Sequence, residues 1–316
     1  MIEANNDLSP ICENKKKIKL LFYNRFWNYE YPKDLALVYP EVDFFFHEDC
    51  IHEVEVVVFH IPSLNLLPDE LRSLKKRREQ IWVYWSLECE VHYLDFQKPE
   101  IRNLFDFTAT YKCDADIPLP YISGCKDIDW RRKPAKKTGF VNAFFSSKWD
   151  KSGRYNYLKE IMSRLNIDSF GEISNNQSRQ NDPYLNNGLD FNSLRFKEEV
   201  ISRYKFTLSF ENAIATDYVT EKFFQPLIYG SIPIYLGAPN VDAFAPGDKC
   251  FINVNSFSSV NELAEYLILL DNRDDLYNEY FKWKTLPFRA SFESKINLSK
   301  YMLVQLITLV KKKANL

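Results

Sequence analysis

An α/β architecture of two parallel-sheet domains follows from three features of the 316-residue sequence. Residues 204–237 read as a strand, a helix and a second strand, a βαβ unit, which belongs to parallel sheets. Residues 17–112 alternate strongly β runs with helical stretches, so they imply a second parallel sheet covered on both faces. The length is long for one core and suits two domains of ordinary size. Together these predict two Rossmann-like domains facing a cleft.

Taken in order, residues 1–16 are polar and are expected to be disordered. The first domain is expected over 17–130. Its first strand is 17–24, and the lysines before it form a solvated flank. Residues 54–61 are a strand, 67–78 an amphipathic helix rich in Lys and Arg, and 80–85 and 107–112 two further strands. The loop SLECEVHY follows the run IWVYW and places Glu88, Glu90 and His92 at a strand's carboxyl end, where doubly wound sheets bind ligands. The alternative is that Glu88 and Glu90 are two solvated loop carboxylates.

The basic, Pro-containing RRKPAKK at 131–137 reads as the linker between domains. The second domain, 138–296, opens on the strand GFVNAFF and a helix from about residue 153. Arg154 falls in that helix's first turn, where the dipole disfavours a cation unless it faces an anion such as a pyrophosphate. Residues 171–192 form a polar loop too long to be a mere connector.

The central βαβ unit is the most informative stretch. Residues 206–210 alternate apolar and small polar side chains, Glu211, Asn212 and Thr216 break the pattern, and Thr220 and Glu221 open a helical run that Gly230 ends. Residues 232–236 are a short β-branched run stopped by Gly237, a parallel strand buried on both faces. Pro226 falls inside the predicted helix. The loop leaving the first strand lies at the sheet's carboxyl edge, where a helix N-terminus offers free N–H groups and a positive dipole end. Polar residues gather at this point: Glu211, Asn212, Asp217, Tyr218, Thr220, Glu221 and Lys222. A carboxylate beside an ammonium suits a sugar carrying a diphosphate, with Glu221 accepting from hydroxyls and Lys222 neutralising phosphate. A favourable first-turn Glu next to a solvated Lys is the competing account. Beyond this unit, 255–288 reads as two helices with capping Ser or Asn residues. Residues 297–316 hold a last helix, amphipathic over 298–310 and ending in a lysine cluster, expected to pack on the first domain, with peripheral contact to a membrane surface as the alternative.

Lys and Arg (41) nearly balance Asp and Glu (43), a net charge of −2, so nothing recommends a nucleic acid or another polyanion as partner. Aromatic residues reach 16%, with 25 Phe and 19 Tyr; most belong to cores, and part of the excess suits a sugar-binding cleft. The sequence holds no run of 18 apolar residues and its first residues lack the apolar region of a signal peptide, so the chain is expected to be soluble. Six cysteines carry no CxxC spacing, which speaks against a zinc site and for reduced thiols. Asp114-Ala-Asp116 and Asp127-Ile-Asp129 fit the Asp-x-Asp pattern of metal-dependent transferases, but that pattern is short and frequent.

The run FENAIATDYVTEKFFQPLIYGSIPIYLG resembles the signature of the α1,3-fucosyltransferases, inverting enzymes that move fucose from GDP-fucose to a glycan hydroxyl. QIWVYWSLECEVHY, followed by NLFDFTATYKCDADIPLPY, resembles the acceptor half of the same family. The resemblance covers residues 17–290 and is strong in these two blocks. It implies the two-domain arrangement called GT-B, an acceptor-binding first domain and a GDP-fucose-binding second one. Donor contacts then fall on Asn212, Tyr218, Glu221 and Lys222, with Arg154 and Arg179 as donor-binding arginines. The general base falls on Glu88, with Glu90 as its rival. It further implies that cationic side chains replace a metal ion, and that the acceptor is the 3-hydroxyl, or the 4-hydroxyl, of a GlcNAc-type residue. A different GT-B transferase and a glycan-binding homologue without catalysis are the rival classes. Eukaryotic relatives are tethered in the Golgi, so a chain lacking a membrane helix is expected in a bacterial or viral cytoplasm if full length, and in the Golgi lumen if trimmed.

Overall fold

The computed structural model describes residues 16–32, 34–177 and 194–314. The disorder expected before residue 16 therefore lies outside the described residues. Chain contacts group the protein into two units, one of residues up to Trp85 with Asp95–Thr108, the other of Ser86–Leu94 with Ala109–Leu316. The loop after IWVYW thus groups with the second unit, because it bonds to Tyr111, Lys112, Tyr121, Asn212 and Tyr218. The stretch 131–137 also packs onto that unit: Arg131 donates to the Lys284 carbonyl and Lys137 to the Ser202 carbonyl, each at 2.7 Å.

The first sheet contains β1 (Ile18–Phe22), β2 (Val42–Phe45), β3 (Val56–His60), β4 (Ile81–Ser86), β5 (Phe107–Thr110) and β6 (Ile117–Pro118), in the order β2-β1-β3-β4-β5-β6. β1 runs parallel to both β2 and β3, and β3 parallel to β4. All five residues of β3 are buried, which is why Val56–Phe59 is apolar without alternation. Helices α1 (Leu35–Val38), α2 (Pro68–Ser73) and α3 (Pro99–Arg102) are short. The helix expected over 67–78 is only α2, because Lys75 turns the chain into the left-handed region at φ 49° and ends it. β2 was not anticipated; at four residues with Asp43 inside, it carries too little periodicity to read.

His60 ends β3 at 1% exposure, ringed by Phe26, Trp27 and Trp85 at centroid distances of 4.7, 5.5 and 5.2 Å. Burial pushes its imidazole down to about 4 from an ordinary 6.5. Between those two values the unfolded chain binds a proton that the folded chain refuses. The associated stability is fully present above pH 6.5 and is lost as pH falls toward 4, a swing on the order of 3 kcal/mol. Melting temperature should fall through this window, and His60→Gln should flatten that part of the curve. An identical slope in the variant would rule the effect out.

The second sheet has the order β11-β10-β9-β7-β8, with β7 (Gly139–Ala143), β8 (Ile167–Ser169), β9 (Tyr204–Phe210), β10 (Ile232–Leu236) and β11 (Ile252–Asn253), every pair parallel. Central β9 is flanked by β7 and β10, and β10 is buried along its whole length as its composition demands. Between the strands run α4 (Arg154–Met162), α5 (Leu194–Arg203) and α6 (Glu221–Tyr229). Thr220 caps α6 and Gly230, at φ 77°, closes it. Downstream lie α7 (Val260–Asn272), capped by the Ser259 side chain, then α8 (Asp274–Glu279), α9 (Ala290–Ile296) and α10 (Met302–Ala314). The last helix therefore begins four residues later than its apolar pattern suggests. No helix among the described residues is long and apolar enough to cross a membrane, and the five described cysteines are all free.

Candidate active site

The site is built around the end of β9. Glu211, the first residue beyond the strand, is fully buried, and its carboxylate accepts from the Thr220 N–H and hydroxyl, both at 2.8 Å. These bonds tie the strand's exit to the start of α6. The Lys222 ammonium lies 3.5 Å from Glu211, 3.3 Å from Glu221 and 3.0 Å from the Thr220 hydroxyl. Lys222 is thus an embedded cation rather than a solvated one. Burial lowers its pKa, but the two carboxylates more than offset this and hold it above the ordinary lysine value. Burial acts upward on Glu221, and Lys222 with Lys197 of α5 brings it below the usual carboxylate range. Glu211 ends up raised, because burial outweighs the pull of Lys222. The result is a charged Glu–Lys pair at a helix N-terminus, backed by a buried carboxylate.

The loop after β4 supplies the second half. Tyr121 donates to the Leu87 carbonyl at 2.9 Å, and the Ser86 hydroxyl to the Glu88 carbonyl at 3.0 Å, which pins the loop. Glu88 is half-buried, and its carboxylate accepts from the Tyr218 hydroxyl at 3.3 Å. Tyr218 is 1% exposed and packs edge-on against Tyr111 and Tyr121. Glu90 is differently placed. One of its oxygens accepts from Tyr111 and the other pairs with Lys112 at 2.8 Å. Burial pushes its pKa up, but those two partners bring it below the ordinary range, which makes Glu90 a poor proton acceptor.

Asn212 is buried, and its side-chain oxygen lies 3.4 Å from the Nε2 of His92, whose ring stacks on Trp149 at 4.5 Å. Asp217, at φ 67°, accepts from the Cys113 N–H at 3.0 Å and from Asn240 at 2.8 Å, and its own N–H donates to Asn240 at 2.9 Å. Arg154 lies at the expected start of α4, 1% exposed. Its guanidinium donates to the carbonyls of Ser147, Trp149 and Phe210 at 3.0, 3.0 and 3.4 Å, so it holds the loop 147–153 against the end of β9. Arg179 lies outside the described residues. The structure therefore joins Glu88 to Tyr218, Asn212 to His92 and Glu221 to Lys222, while Arg154 serves backbone carbonyls. Sequence reasoning missed the pairing role of Glu211 and the charge of Lys197. Glu211 at least stood at the strand's exit, whereas nothing in the sequence marks Lys197 out from other helix lysines.

The fold class is that of the GT-B glycosyltransferases. A solved α1,3-fucosyltransferase with GDP-fucose superposes with a TM-score of 0.59 at 20% identity, covering 98% of this chain and 94% of that one, which bears on the fold alone. The profile "Glycosyltransferase family 10 (fucosyltransferase) C-term" matches residues 134–314, and "Fucosyltransferase, N-terminal" matches 14–122. The chain belongs to glycosyltransferase family 10, the fucosyltransferases. Similar curated relatives include "Alpha-(1,3)-fucosyltransferase B" of Drosophila melanogaster, 37% identical over 67% of this chain and 50% of that one. Another is "GDP-fucose protein O-fucosyltransferase 3" of Homo sapiens, 31% identical over 74% and 50%. The chain spans about half the length of these relatives.

Proposed function

We propose that this protein transfers L-fucose from GDP-fucose to the 3-hydroxyl, or the 4-hydroxyl, of a GlcNAc-type residue, with inversion at the anomeric carbon. The observation that carries this reading is the contrast between two carboxylates two residues apart. Glu90 is neutralised by Lys112 and Tyr111, while Glu88 faces the motif tyrosine Tyr218. Glu88 takes the proton of the acceptor hydroxyl as that oxygen attacks the anomeric carbon, and GDP leaves from the opposite face in one displacement. The transition state has oxocarbenium character. Glu221 accepts from donor hydroxyls, and Asn212 and Tyr218 orient the donor. Lys222, with the positive dipole end of α6, offsets the charge that grows on the diphosphate, an effect worth about 3 kcal/mol per positioned donor. Arg154 and Arg179 are the arginines assigned to the donor; Arg154 contributes by shaping the loop over the end of β9.

The test is turnover of GDP-fucose, GDP-mannose and UDP-sugars against lactose, N-acetyllactosamine and its type 1 isomer, with the product's anomeric configuration read by NMR. Transfer from another nucleotide sugar and none from GDP-fucose would overturn the reading. The relatives named as protein O-fucosyltransferases favour a second acceptor, a Ser or Thr hydroxyl on a folded protein. Fucosylation of a protein carrying no glycan, with all three disaccharides left untouched, is the outcome that selects it.

On this reading Lys222 offsets the charge of the donor diphosphate in place of a metal ion. Activity is accordingly expected to survive EDTA undiminished. Loss on chelation with recovery on adding manganese is the contrary result, and it would revive Asp114-Ala-Asp116 or Asp127-Ile-Asp129 as a metal motif.

A further inference from the structure

The first unit carries an aromatic surface that the donor and base chemistry leaves unused. The chain leaves β1 toward β2 on one side and returns to β3 on the other, so the strand order reverses at the carboxyl ends of β1 and β3. Doubly wound sheets bind ligands at such a reversal. Asn24 stitches the two exits together: its amide donates to the His60 carbonyl at 2.8 Å, and its oxygen accepts from the His60 N–H at 3.0 Å. Three residues on, Trp27 is held at φ 50°, in the left-handed region that a bulky side chain avoids, and is 44% exposed. An exposed tryptophan kept in a strained backbone at a ligand-binding edge is the pattern of a functional position.

The ring does not stand alone. Trp27 meets the buried His60 edge-on, and Phe26 stacks on Trp85 at 4.8 Å. Trp85 in turn touches Phe22 at 6.2 Å, Phe22 stacks on Tyr31 at 4.3 Å, and Tyr31 stacks on Phe46 at 5.3 Å. Phe46, at 52% exposure, is a second platform at the far end of this series. Beside it opens a cavity of about 600 Å³ lined by Arg25, Glu30, Tyr31, Asp43, Phe44 and Phe46.

We propose that Trp27 is the stacking platform of an acceptor-sugar subsite, with Phe46 and the charged cavity as its continuation. The assignment rests on the reading of the protein as a transferase to a glycan. An apolar pyranose face covers an aromatic ring, and beside Phe46 the equatorial hydroxyls of a sugar meet Arg25, Glu30 and Asp43 in the cavity wall. A peptide acceptor is less suited, because the rings lie open and the cavity rim is charged, whereas a peptide anchor fills a deep apolar pocket.

The decisive variant is Trp27→Gly, since glycine adopts φ 50° freely and removes the ring without adding strain. Saturation-transfer NMR on the intact protein, with lactose, N-acetyllactosamine and its type 1 isomer as probes, should show contacts to at least one disaccharide. In Trp27→Gly these should be lost, the acceptor KM should rise at least about tenfold, and GDP-fucose affinity and melting temperature should be unchanged or higher. Trp27→Phe should keep most of the binding. Disaccharide binding unaffected by Trp27→Gly overturns the proposal, as does no binding of any of the three by the wild type, or a KM rise confined to a protein acceptor. Binding that depends on Trp27 in a protein that never turns over GDP-fucose would instead sustain the subsite and sink the transferase reading.

Discussion

Glu88→Gln is expected to lower kcat by about 100- to 10,000-fold while GDP-fucose binding is kept. Glutamine retains the shape and can still accept from Tyr218, so the packing survives, but it cannot take a proton. Glu90→Gln is the internal control. It removes the pairing with Lys112 and weakens the bond from Tyr111, a local loss of about 1 kcal/mol that lowers the melting temperature without touching the proton transfer. The pair of variants should therefore separate cleanly, one dead and folded, the other active and slightly less stable. If Glu90→Gln is the dead enzyme, the base is two residues further along the loop. If both turn over normally, the base lies elsewhere.

Lys222→Ala should weaken GDP binding at least tenfold, and it should also destabilise the fold, which a solvated lysine would not do. The reason is Glu211, which is fully buried and loses the ammonium 3.5 Å from its carboxylate. Removing one partner of a buried pair costs roughly 3 to 5 kcal/mol. The figure here falls at or below the low end, because Glu211 keeps two bonds from Thr220 and its raised pKa lets it take a proton. Adding Glu211→Gln to Lys222→Ala tests the division of labour. The double variant should recover melting temperature and leave GDP affinity as poor as in the single one. Calorimetric GDP affinity unchanged by Lys222→Ala would remove the donor assignment altogether.

The βαβ unit was legible because each of its boundaries carries its own local cause: a capping Thr220, a left-handed Gly230 and a β-branched run in β10. Where the cause is not local, reading failed. The helix expected over 67–78 has Leu67, Leu71 and Leu74 at helical spacing and good helix formers after them, yet a single left-handed Lys75 cuts it short, and lysine gives no warning of that conformation. The position of Glu88 at a strand's exit could be inferred, but its contact with Tyr218, 130 residues away, is a product of folding. The same holds for Lys222: spacing cannot distinguish a lysine that faces water from one that faces a buried carboxylate. Arg154 was anticipated at its helix start, yet which oxygens its guanidinium meets depends on how the loop 147–153 closes.

The bonds of Asp217 have an evolutionary consequence. This residue grips Asn240 and the backbone of Cys113, and its two chain neighbourhoods hold the opposing carboxylates, Lys112 on Glu90 and Tyr218 on Glu88. A substitution at Asn240, just beyond the donor motif's last residue Gly237, therefore bears on the contacts of both carboxylates. Substitutions at positions 112, 217 and 240 are then expected to be non-additive, because one run of contacts joins them.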